Sequence, residues 1–372
     1  MRPLIRKILV GIIIAIICFA GGYFYNKNNN SIDKNLTSNK ETIINPQVVG
    51  EDTKTQTEET IGLSPQKEAS VPPVEPPLPI GTDKFVIGLT NTNEDIANNL
   101  LIAEFISDTT GFVNILNKDK NQVIPGAYKL SKIMSQEQIN KVLHSNPYMK
   151  WVMIKPGLRK EEIAKILADN LNWTLKQKDL WISNELDNNP LYTEGVYYPD
   201  TYLIPIEEEP SLVAKRLIAK FNEKFYSYLP QFTAKNIKST KALTLASIVQ
   251  REESNSADMS LIAGILWNRL NIDIALGVDA TLQYLRGDKG KGWWAPIVVA
   301  DKQIDSPFNT YKYKGLPPHP ISNPGISAIE AVLNPAQTDC LYYLHDENRI
   351  THCSLTYEEH LSNIQKYLIK NN

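Results

Sequence analysis

Clustered charge is the first thing this chain is short of. Its 39 basic and 41 acidic residues leave a formal charge of −2 over 372 residues, and no run of Lys or Arg follows the extreme N-terminus. A basic patch or stripe is the electrostatic footprint of a nucleic-acid binder, so that class of partner has no support. Cysteine is scarce as well: Cys18, Cys340 and Cys353 are the whole supply. No Cys/His spacing suggests a metal site, and nothing in the chain calls for a cofactor. A third shortage concerns processing. Ile8 to Tyr25 is apolar and uncharged, yet no small-x-small cleavage site follows it cleanly; Ala20-Gly21-Gly22 is the nearest match.

At about 1.5 Å per residue, Ile8 to Tyr25 nearly spans a bilayer core of about 30 Å. Arg2, Arg6 and Lys7 precede it, which keeps the N-terminus inside. The expectation is an uncleaved, single-pass transmembrane anchor over residues 1–26, with the rest of the chain outside the cytoplasm. Residues 27–84 read as a disordered, Pro-rich linker. They are rich in Asn, Thr, Glu and Lys, then in proline (Pro65, Pro72, Pro73, Pro76, Pro77, Pro79), and such a segment buries no core.

The first folded unit begins at Phe85-Val86-Ile87, read as a strand. A helix is expected over Asp95 to Ile106 and a further strand over Val113 to Leu116. A turn at Pro125-Gly126 feeds another strand, and Gln136 to Leu143 reads as a helix. The small β–turn–α plan then repeats: a strand at Val152 to Ile154, a turn at Lys155-Pro156-Gly157, and a helix over Lys160 to Leu171. Glu194 to Tyr202, EGVYYPDTY, reads as a turn with aromatic rings interleaved with carboxylates. Aromatic faces stack on sugar C–H faces while carboxylates accept sugar hydroxyls, which suits a glycan groove; the plain alternative is a structural turn with core tyrosines.

Ala242 to Leu270 organises the rest: a helix, a short polar break and a second helix. Leu245, Ile248 and Val249 repeat at helical spacing. Continued at that spacing, Glu252 stands over Leu245 and Ile248, and Glu253 over Ala246 and Val249, at the two edges of one apolar arc. Burial against apolar neighbours raises a carboxyl's pKa. An acid still protonated near neutral pH is what glycosidic bond cleavage requires of its proton donor. The alternative is the solvated end of an amphipathic helix.

Ala246-Ser247-Ile248-Val249-Gln250-Arg251-Glu252-Glu253, with Asn268-Arg269-Leu270 at an ungapped distance, resembles the signature of the YceG-like (MltG) family of endolytic murein lytic transglycosylases. Four further stretches are similar to family motifs: Glu194 to Tyr202, Leu276 to Tyr284, Ser306 to Tyr311 and Gly315 to Ile321. The likeness spans roughly Val123 to Tyr367. It puts the catalytic glutamate on Glu252, with Glu253 where the family has Thr or Ala. In other lytic transglycosylases the catalytic Glu precedes Ser, which favours Glu253 before Ser254. The resemblance further implies substrate contacts from Asp279, Asn309, Tyr311, Tyr197, Tyr198, Asp200 and Thr201, and a secondary role for His352. Asp279 also suits a cap for a helix beginning at Ala280. Asn309 offers an amide donor and acceptor for an N-acetyl group.

Cys340 to Ser354 reads as a β-hairpin. Its two cysteines are equidistant from the Asp346–Glu347 midpoint, so a symmetric hairpin sets them opposite each other, close enough to bridge. The fold class expected is α+β: an N-terminal transmembrane helix, a flexible linker, LysM-like α+β subdomains over residues 85–185, and a mixed α/β catalytic domain over residues 186–372. The implied activity is cleavage of the MurNAc–GlcNAc bond of peptidoglycan to 1,6-anhydro ends at the bacterial inner membrane. Penicillin-binding proteins and other cell-wall synthesis proteins are partners implied by kinship alone. Two rivals stand beside it: a hydrolase with Asp279 as second carboxylate, and a non-catalytic glycan-binding scaffold tethered to the membrane.

Overall fold

The computed structural model of the chain describes residues 72–119, 121–183 and 194–369. The expected anchor and most of the expected linker lie outside them. Among the described residues no helix is long and apolar enough to cross a membrane.

Four short strands form one antiparallel sheet in chain order: β1 (Asp83–Ile87), β2 (Gly126–Leu130), β3 (Met149–Met153) and β4 (Thr201–Pro205). Phe85 faces Tyr128 across the first pair, and Trp151 faces Leu203 across the last. Three helices pack on the β1–β2 half: α1 (Asn93–Ile102), α2 (Thr109–Lys118) and α3 (Gln136–Leu143). Their starts are capped by side chains that satisfy the free N–H groups of a first turn. Thr92 and Asp95 form a reciprocal box at α1, Ser135 and Gln138 another at α3, and Asp108 accepts from Gly111 at α2. The strand expected at Val113 to Leu116 is instead the body of α2. Phe112 and Leu116 are buried, four residues apart on one helical face, and they decide against the β-branched local composition. Ile96, Leu100, Phe112, Leu116, Ile139 and Leu143 make a core of their own.

A second, larger core runs from Val152 to Leu333. It unites α4 (Lys160–Leu171), α5 (Leu175–Ile182), α6 (Pro210–Phe225), α7 (Leu229–Ala234), α8 (Ser239–Glu252), α9 (Met259–Asn271), α10 (Asp279–Arg286) and α11 (Ile326–Leu333). The two cores therefore part near residue 150, and β3–β4 pairing carries the sheet across residue 185. Every residue of α8 from Ala242 to Gln250 is buried. Packing is close enough beside it that Gly264 of α9 is obligatory: a Cβ there would lie 2.5 Å from the Ala336 carbonyl oxygen.

The described chain closes with a hairpin, β5 (Tyr342–His345) and β6 (Thr351–Ser354), and α12 (Tyr357–Tyr367). Cys340 and Cys353 are bonded, with Cα atoms 5.9 Å apart. The register is not the symmetric one expected. Tyr343, not Cys340, pairs with Cys353, because the turn runs from Asp346 to Ile350 and places Arg349 in the left-handed region.

Candidate active site

Helix α8 ends at Glu252, and Glu253 is its extended C-cap. The helix stops one residue earlier than the apolar arc suggested, so the two carboxylates separate. Glu253 accepts from Gln250 Nε2 at 2.5 Å. It faces an open depression of about 560 Å³ lined also by Ser254, Asn255, His345 and Arg349. Glu252 turns to the hairpin, where Tyr343 Oη donates to its Oε2 at 2.7 Å. His345 Nε2 lies 2.9 Å from its carbonyl oxygen; a carbonyl only accepts, so this nitrogen carries the hydrogen.

Glu252 keeps some accessible surface while protein surrounds its carboxyl group. That burial pushes its pKa up. The Tyr343 hydroxyl opposes the rise by stabilising the anion, the negative charge of Asp279 adds to it, and the Ala280 N–H and His345 oppose it. Burial also raises Glu253, against the Gln250 hydrogen bond and the Arg251 charge.

Asp279 is the first residue of α10; Val278 is the N-cap, with no side-chain cap bond. The capping role expected of Asp279 is therefore not the one it fills. Its Oδ1 accepts from Tyr311 Oη at 2.5 Å. The Asn309–Tyr311 segment explains why Asp279 stands there. Asn309 Nδ2 donates to the carbonyls of Lys302 (3.0 Å) and Ile304 (2.7 Å), while its Oδ1 accepts from Tyr311 N at 3.0 Å. Thr310 accepts from Gly277 N through its carbonyl (2.9 Å) and from Val278 N through its hydroxyl (3.0 Å), fixing the entry to α10. Burial, then the Asp279 bond, raise the Tyr311 phenol, and Lys302 Nζ sits 4.1 Å from its ring centre.

Glu252, Asp279 and Tyr311 thus come together from three separate stretches of chain. Other expected contacts do not join them. Asn309 is wholly buried with both amide ends engaged, so it pins the loop and has no surface for a sugar. Tyr197 is likewise buried, its ring 4.9 Å from Trp181. Tyr198 is nearly so, its carbonyl accepting from Tyr202 Oη at 2.6 Å. Asp200 is exposed and accepts from Thr201 N at 2.7 Å, and Thr201 pairs with Met153. The Glu194 to Tyr202 motif is accordingly the structural turn with core tyrosines. Glu194 is its anchor. It is buried and accepts from Lys160 N and, at 2.6 Å, from Asn323 Nδ2, whose Oδ1 takes Gly195 N and Tyr197 N. Burial raises Glu194 to about 8.

His352 lies on the far face of the hairpin. Side chains alternate along a strand, so Tyr343 and His345 share one face while His352 takes the other, bonded to Asp346 at 2.9 Å and stacked on Tyr367. His345 and Tyr343 are the hairpin residues that reach Glu252, and sequence reasoning missed both. Their i, i+2 spacing was a readable sign that they share a face; their 91- and 93-residue separation from Glu252 was not. Trp293 and Trp294 are gripped from the protein side, by Arg159 and Arg251 respectively at 4.3 and 3.8 Å.

A profile of the YceG-like family matches residues 85–366. An endolytic murein transglycosylase of Bacillus subtilis is 31% identical over 269 residues, covering 66% of this chain and 74% of that protein. One from Streptococcus pneumoniae is 26% identical over 327 residues, covering 78% of this chain but 58% of its own length. A crystal structure of a yceG-like protein from Listeria monocytogenes superposes with a TM-score of 0.50 at 27% identity, covering 76% of this chain and 98% of that one.

Proposed function

The chain belongs to the YceG-like family, and from that membership we propose that it is a peptidoglycan lytic transglycosylase with Glu252 as its acid and base. The observation that carries the reading is the Glu252 carboxyl, raised by burial and by Asp279 and held by Tyr343, on a half-buried residue whose neighbours Glu253 and His345 line an open depression. The names borne by the relatives support the substrate and the endolytic mode.

In the reaction, Glu252 gives its proton to the glycosidic oxygen as the bond from that oxygen to C1 of MurNAc breaks. The C6 hydroxyl of the same sugar attacks C1, and its proton passes to the Glu252 carboxylate as the new O6–C1 bond forms. The acid is restored, no water is consumed, and a 1,6-anhydro end is left. Asp279, carried by Tyr311, faces the positive charge that develops at C1. The apolar stretch Ile8 to Tyr25 holds the enzyme at the cytoplasmic membrane, where cleavage ends strand growth. The region built on β1 to β3, likened above to LysM, grips the glycan. Penicillin-binding proteins and other synthesis proteins are its partners.

One observation keeps a second reading in play. Asp279 is near enough to Glu252 to act on it electrostatically, and an acid paired with a second carboxylate is the arrangement of a hydrolase. Mass spectrometry of sacculi digested by the full chain in detergent separates the two. Anhydro-MurNAc ends are expected; reducing ends would replace the transglycosylase by a muramidase, and intact sacculi by a binding scaffold.

A further inference from the structure

Asn268-Arg269 belongs to the motif that marks the glutamate helix, yet neither residue contacts Glu252. Both grip the strand that leads into the hairpin. Asn268 Nδ2 donates to the carbonyls of Thr338 (2.6 Å) and Cys340 (3.2 Å). Arg269 Nη1 donates to the Leu341 carbonyl at 2.7 Å, while Nε and Nη2 hold Ala275 at 3.0 and 2.7 Å, just ahead of α10. Cys340 is then bonded to Cys353, the cross-strand neighbour of Tyr343. Directly paired residues of an antiparallel ladder project on the same face, so the bond lies beside the tyrosine that reaches Glu252.

We propose that Tyr343 is a positioning residue for the catalytic acid, and that Asn268, Arg269 and the Cys340–Cys353 bond serve to hold its hydroxyl on Glu252 Oε2. The proposal deepens the reading of Glu252 as the acid and rests on it. A protonated carboxyl has one O–H. The carbonyl oxygen is the better acceptor, so the Tyr343 bond to Oε2 favours the arrangement with the transferable proton on Oε1. Without the tyrosine the proton is free to occupy either oxygen, and one of those two arrangements is unproductive.

The other charged and titratable groups facing Glu252 are Asp279 on α10, His345 on β5, Tyr311 on its loop and Arg251 on α8 itself. Tyr343 also faces Arg269 and Tyr311. None of these is altered by Tyr343→Phe, which keeps the ring and removes the donor.

The test is the pH profile of sacculus digestion by the full chain in detergent. The Tyr343 bond favours the charged form of Glu252, so its loss raises the pH at which the acid is deprotonated. Tyr343→Phe should lower kcat about twofold at unchanged KM and move the alkaline limb of kcat up by about one pH unit. Reducing the disulfide should move the wild-type limb the same way and leave the Tyr343→Phe limb where it is, since the contact it protects is already gone. A Tyr343→Phe limb identical to wild type overturns the proposal, as does a reduction shift of equal size in both proteins. Because Tyr343→Phe keeps the disulfide, the first comparison decides even if reduction unfolds the hairpin. If Glu252→Gln stays active, the underlying reading falls and this proposal with it. If Glu252→Gln is dead and Tyr343→Phe behaves as wild type, the proposal alone falls.

Discussion

Glu252 and Glu194 are both enclosed glutamates with raised pKa values, and the proposal gives them opposite jobs. Glu194 is sealed: the Lys160 N–H, shared between its two oxygens, and Asn323 Nδ2 hold it, and it ties the 194–197 turn to α4 and to the segment before α11. Glu252 is packed as tightly around its carboxyl, but the residue as a whole is only half-buried and its neighbour Glu253 lines an open depression. Its partners are a tyrosine hydroxyl, the Ala280 N–H and a neighbouring acid. The difference teaches that a perturbed carboxyl becomes an acid catalyst only where a substrate oxygen can approach it. Burial supplies the proton, and access puts it to use.

The sharpest way to break the comparison is to neutralise each residue in turn. Glu252→Gln should lower sacculus cleavage by at least about 100-fold, as loss of a general acid does, with an unchanged melting temperature. Glu194→Gln should leave cleavage within about twofold, because its amide mimics the protonated acid already there. Turnover assays on both variants check this, and equal losses would erase the distinction.

A second test acts on the electrostatics of one site only. Asp279→Asn removes the negative charge that raises Glu252, so the alkaline limb of activity should move to lower pH. Turnover should fall about tenfold if Asp279 stabilises the charge at C1. A limb that moves upward would mean that Asp279 does not raise Glu252.

Stability reports on the sealed residue. A carboxyl whose folded pKa is about 8 binds more protons folded than unfolded between about pH 4.3 and 8. The slope of unfolding free energy with pH is then negative, so the contribution of Glu194 declines as pH rises through that window. The melting temperature should therefore fall by a few degrees more from pH 5 to pH 8 in wild type than in Glu194→Gln. A small effect is expected at Glu253 as well. Its carboxyl leaves the helix axis and bonds Gln250, so Glu253→Gln should keep turnover within about threefold.

Helix α4, α3 and the strand entering at Gly126 were legible because apolar spacing and the Pro125-Gly126 turn agree there with the tertiary outcome. At α2 the local pair Val113 and Ile115 pointed to a strand, and the spacing of Phe112 and Leu116 won. The proposed acid was readable as one of two adjacent glutamates. Which of them faces the site depends on where α8 stops, and that is set by the break before Ser256–Asp258. Asn309 and Tyr197 show the converse limit. Residue type suggested sugar contacts, but their roles are fixed by how the chain folds around them: the Lys302 and Ile304 carbonyls for one, the Trp181 ring for the other. The hairpin partners of Glu252 were beyond reach for the same reason.

The claim beneath these tests is that the Glu252 carboxyl, enclosed by protein, holds its proton above the ordinary carboxyl range. A ¹³C NMR titration of the full chain labelled at glutamate carboxyls measures that directly, with the Glu252 signal identified by its loss in Glu252→Gln. The account predicts a midpoint clearly above the ordinary glutamate value of about 4.3, shifting downward in Asp279→Asn. A Glu252 carboxyl that titrates at or below the ordinary value would contradict it.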